Sequence, residues 1–73
     1  MRNEELIYKL DNLMQDFDPE GYEDGSYSDN MIEYIAEAIE NDIESVRDYV
    51  KMVIDECENR FVVEKAKAIL IEL

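Results

Sequence analysis

The chain has 73 residues, 20 of them Asp or Glu and 7 Lys or Arg, with no His and a formal net charge of -13 at pH 7. A chain this short buries only about 60% of the surface its unfolded form exposes, so a single domain is expected, with scant room for a catalytic pocket and therefore no enzyme. Phosphates and anionic headgroups repel such a polyanion, which excludes direct nucleic-acid or membrane binding, while a hydrophobic share of 47% is too large for a solvated acidic tail.

Apolar periodicity predicts four helices in chain order. The first runs over about residues 4 to 15, where Leu6, Leu10, Leu13 and Phe17 share a stripe flanked by Ile7 and Met14, with Asn3 as cap. The stretch DPEGYEDGSYSDN holds the only Pro and both Gly and reads as a loop. A second helix, about 30 to 40, carries Ile32, Ile35, Ala36 and Ile39 on one face, while Glu33, Glu37, Glu40 and Glu44 line up on another, and Ser28 or Asp29 can cap it. Asn41 with Glu44 resembles a capping box for a third helix, which runs to about 58 on Val46, Val50, Val53, Ile54 and Cys57. Beyond a break at Asn59, Val62, Ala66, Ile69 and Leu73 form the last stripe. The branched residues of RFVV and AILIEL suit strands, but alternation is missing and good helix formers lie between them. The expected fold is all-α, a compact bundle of four short helices. Met31, Leu70 and Ile71 look exposed, and Tyr34 is expected to pack over the bundle end.

Charge is distributed unevenly. From Asp11 to Glu44 there are twelve acids and no Lys or Arg, whereas the segments on either side are close to neutral. Twelve like charges on one half of a small body repel one another, and mixed signs would give solubility without that penalty. A cationic protein partner is the better reading. Tyr beside carboxylates suits Lys and Arg, because the ring offers area and cation-π attraction while the acid offers a charge-assisted hydrogen bond. The candidate partner-binding residues are Asp18, Glu20, Tyr22, Glu23, Asp24, Tyr27, Asp29, Glu33 and Glu37. Asp16 is expected to serve structure, accepting hydrogen bonds from the turning backbone.

Other chemistries fare worse. Asp16, Asp18, Glu20, Gly21, Tyr22 and Asp24 fit the spacing of a calcium-binding loop, yet Tyr27 stands where a bidentate Glu must close the cage. Residues 35 to 50 read like a helix-turn-helix whose second helix has too few cations for phosphates. A single cysteine, Cys57, permits no internal disulfide and reads as a buried small hydrophobe. No cofactor and no metal are expected. MRNEELIYKL has no apolar run of signal-peptide length, so the expected location is the cytoplasm, as a monomer or weak dimer.

At LMQDFDPEGY, residues 13 to 22, the chain resembles one group of contact-dependent growth inhibition immunity proteins. Gln15, Asp16 and Phe17 match their Gln-Asp-aromatic core, and Tyr27 and the helix order through IESVRDYVKMVIDE are similar in outline. Met14 stands where those proteins commonly have His, and Phe17 where they have Trp. The resemblance implies a small acidic helical protein that neutralises a cognate toxin, often a nuclease. The rival readings are a nucleic-acid-mimicking phage-type regulator of a host nucleic-acid-binding protein, and a homodimeric helical interaction domain.

Overall fold

The computed structural model describes residues 4–23 and 30–73, and every regular element among them is a helix: α1 (Glu4–Phe17), α2 (Pro19–Glu23), α3 (Met31–Asn41), α4 (Ile43–Glu56) and α5 (Arg60–Glu72). The all-α expectation holds. RFVV and AILI are helical because that conformation places Val62, Ala66 and Ile69 together in the core. Burial of one large aliphatic side chain contributes about 1.5–3 kcal/mol, against helix-propensity losses of at most ~0.7 kcal/mol per residue.

Among the described residues there are five helices rather than four, since α2 lies in the stretch that reads as a loop. Asp18 starts it, accepting a hydrogen bond from the Gly21 amide at 3.1 Å, and Pro19 takes the first helical position, where no amide donor is needed. A Cβ at Gly21 would lie 2.3 Å from Asp18 Oδ2, so a larger residue there has to turn the capping carboxylate. Asp18→Ala and Gly21→Ala should each lower stability by about 0.5–2 kcal/mol in urea unfolding. The double variant should cost no more than the larger single, because both remove one cap.

Capping corrects two further boundaries. Asn30, not Ser28 or Asp29, caps α3, its Oδ1 accepting from the Glu33 amide at 3.2 Å. Asp42, not Asn41, caps α4, accepting from the Ser45 amide at 3.4 Å and the Ser45 hydroxyl at 2.8 Å. The Asp42 amide also bonds to the Ala38 carbonyl at 2.8 Å, so this one residue ends α3 and opens α4. That junction is shorter than the 3–4-residue turn of a DNA-binding helix-turn-helix. Asn59 caps α5 as expected, accepting from Phe61 and Val62. The expected cap Asn3 lies outside the described residues.

α1 packs against α5, α3 and α2, and α4 packs against α3 and α5, so the four longer helices close a ring around one core. Leu13, Val50 and Val53 are sealed at its centre, and Phe17 meets Tyr49 edge-on at 6.3 Å. The radius of gyration, 11.4 Å, matches the about 11 Å of a compact chain of this length. Lys9 reaches Glu72 at 3.0 Å and Lys65 reaches Asp16 at 2.9 Å, joining α1 to α5. The Arg47 guanidinium donates to the Leu73 carbonyl, from Nε at 3.2 Å and from Nη2. Met31 is buried rather than exposed, because α3 begins on it and its first turn faces the core. Ile71 is exposed as expected, Leu70 and Cys57 are half-buried, and Tyr34 stands out from the surface. No helix among the described residues is long and apolar enough to cross a membrane.

Candidate functional site: an acidic face

All four described aspartates of the Asp11–Glu44 run are engaged within the fold: Asp11 accepts from Tyr22 and Gln15, Asp16 from Lys65, Asp18 from Gly21 and Asp42 from Ser45. A short side chain reaches backbone or a near neighbour easily. The glutamates Glu20, Glu23, Glu33, Glu37, Glu40 and Glu44 are exposed.

Their position follows from the packing of α1. Lys9 and Asp16 face α5, and at about 100° per residue Asp11 lies some 140–160° around the helix from both. Tyr22 Oη donates to Asp11 Oδ1 at 2.7 Å and so holds α2 on that other side. Glu20 and Glu23 are thus displayed away from α5, and α3, which adds Glu33, Glu37 and Glu40, also lies against α1. Neither α2 nor α3 contains a Lys or Arg. α2 and α3 together carry five acids and no cation, whereas α4 and α5 carry six acids and five of the seven cations, so unbalanced negative charge is concentrated on α2 and α3.

Between α1, α3 and α4 a groove of about 130 Å³ opens, with Leu10 and Met14 on its floor and Tyr34, Ala38, Ser45 and Tyr49 around it. Small-molecule sites usually enclose about 300–1,000 Å³, so this groove is too small for most such ligands and has room for about one side chain. Tyr34, 49% exposed, stands beside it one turn before Glu37 and Ala38.

Hydrogen bonding to Asp11, then burial, then the Asp11 charge raise the Tyr22 pKa above its ordinary 10.0. A raised tyrosine pKa means that the folded state favours the protonated ring. The contribution is therefore complete below pH 10.0 and is lost as pH climbs through the raised value. Tyr22→Phe should lower stability by ~1 kcal/mol at neutral pH, and its deficit relative to wild type should vanish in strong alkali. Urea unfolding across that pH range, with ultraviolet titration of the phenolates, checks both.

Of the candidates from sequence, Glu20, Glu23, Glu33 and Glu37 are displayed outward, while Asp18 and Tyr22 are held in local bonds. Asp24, Tyr27 and Asp29 lie outside the described residues. Glu40 and Glu44 join the exposed set, and their signal is the helical spacing that aligns them with Glu33 and Glu37. Asp16 does not accept from turning backbone as expected; Asp18 has that role, because α1 continues through Phe17 and carries Asp16 to Lys65. The calcium-loop pattern is broken in the same way, with its first residue in a helix and its third capping another. Gln15, Asp16 and Phe17, the residues of the resemblance, contact Asp11, Lys65 and Tyr49. The chain matches no protein-family model and has no significant similarity to curated proteins or to solved structures.

Proposed function

We propose that this protein is a binding inhibitor of the immunity type, acting in the cytoplasm to neutralise a toxin of the nuclease class by covering its basic surface. The supporting observation is the exposed glutamate array of α2 and α3, with no cation on either helix. A nuclease must hold a phosphate backbone, so its cleft is basic, and carboxylates on a rigid helical body compete for that cleft. Long-range attraction accelerates encounter, and docking excludes the substrate. The ring of four longer helices is read as the bundle that keeps the array rigid, with α2 appended. No bond is made or broken by the protein in this role.

Affinity capture from the native host with two baits, wild type and a Glu20, Glu23, Glu37 and Glu40→Gln variant, tests the reading. A basic nuclease retained by the first bait, lost from the second and inhibited at one-to-one stoichiometry is the expected result. Recovery of a host nucleic-acid-binding regulator with the same charge dependence would favour the mimic instead. Identical captures with both baits would remove the acidic face from function.

A further inference from the structure

Phe61 and Ile71 are 80% and 87% exposed, the most exposed large apolar side chains among the described residues, and both lie on α5. At about 100° per residue, Phe61, Glu64, Ala68 and Ile71 form a stripe on the side of α5 away from the buried Val62, Ala66 and Ile69. All four stripe residues are exposed. Their alternating three- and four-residue spacing is that of a helix-pairing seam. The charge around them is unlike that of the rest of the molecule. Arg60, Lys65 and Lys67 outnumber Glu64 and Glu72 on α5, in a chain whose net charge is -13. Two copies meeting through α2 and α3 would bring like charges together, whereas meeting through α5 separates the acidic faces.

We propose that α5 is a self-association surface on which two copies pair antiparallel through this stripe. With the pairing centred on residue 66, Phe61 of one copy faces Ile71 of the second, and Ala68 leaves room for Glu64. The Glu64 carboxylate then lies beside Lys67 of the second copy. Two-fold symmetry makes each of these contacts twice. An acidic protein is the other occupant to consider, but Lys65 is already held by Asp16 at 2.9 Å. Arg60 and Lys67 alone offer little charge to attract one. α5 has 13 residues, a length of about 20 Å. One such helix pair falls short of the about 1,200 Å² of stable interfaces, so the dimer is weak and concentration-dependent. Salt should strengthen it by screening the repulsion between two like-charged bodies.

Sedimentation equilibrium of the full chain, over a concentration series reaching the millimolar range, reads the association directly. The mass should rise from 8.6 kDa towards twice that value, further at high salt than at low. Phe61→Asp should weaken association by about tenfold or more. Glu64→Lys and Lys67→Glu should each weaken it, and the combined swap should restore it. These residues are exposed, and circular dichroism of each variant verifies that the helices are kept. A mass fixed at 8.6 kDa throughout, as an acidic partner would leave it, overturns the proposal. So does association indifferent to Phe61→Asp, or a combined swap that fails to rescue.

Discussion

Replacing Glu20, Glu23, Glu37 and Glu40 together with Gln should slow association with the proposed basic partner by about 10- to 1,000-fold at low ionic strength, the range over which charge steering acts. The deficit should shrink as salt is added, because the screening length falls from about 30 Å at 0.01 M to about 3 Å at 1 M. Stability should move in the opposite direction. Glu33 and Glu37 are four apart on α3, and Glu37 and Glu40 three apart, so Glu37→Gln removes two like-charge neighbours that each destabilise by about 0.2–0.5 kcal/mol. A tighter fold with weaker binding is the signature of charge retained for a partner. Substitution of Asp55 and Glu56, at the far end of α4, and of Glu58 just beyond it should change association little. Stopped-flow association across a salt series and thermal melting separate these outcomes. Equal effects of the two sets would mean that net charge, not the α2–α3 face, governs binding.

Leu13→Ala should remove a large part of the total stability. The side chain is 0% exposed at the centre of the core, and truncating such a leucine costs about 2.7–5 kcal/mol through lost transfer energy and the cavity left behind. At about 0.05–0.15 kcal/mol per residue a chain of this size holds only ~4–11 kcal/mol. Ile71→Ala removes a side chain of the same size from a position 87% exposed and should stay within about 0.5 kcal/mol in dilute solution. Urea unfolding of the two variants side by side checks the contrast. A comparable loss for both would mean that Ile71 is covered in dilute solution.

Residues close in sequence account for most of what was legible without coordinates. The stripes of Leu6, Leu10 and Leu13, of Val46, Val50 and Val53, and of Val62, Ala66 and Ile69 are all buried, because a helix repeats every 3.6 residues whatever packs against it. The charge asymmetry was legible for a simpler reason: it is a property of composition along the chain. Even α2 has a local sign, since Asp followed by Pro is a cap followed by a residue suited to the first helical position, although Pro19 and Gly21 taken singly point to a loop.

The remainder depended on segments meeting. Asp16 and Asp18 are two residues apart and chemically identical, yet one pairs with Lys65, 49 residues away, and the other caps its own turn. Glu72 finds Lys9 across 63 residues. Met31 and Ile71 are both large and apolar, and only the placement of α3 and α5 buries one and exposes the other. Composition and periodicity by themselves determined helix content, core stripes and the acidic half, because those follow from side-chain chemistry and a fixed local repeat. Tertiary structure alone decided the long-range pairs, Asp16 with Lys65 and Glu72 with Lys9, and which of Met31 and Ile71 is covered, because a side chain's distant neighbour depends on which helix faces which, and that is set by packing.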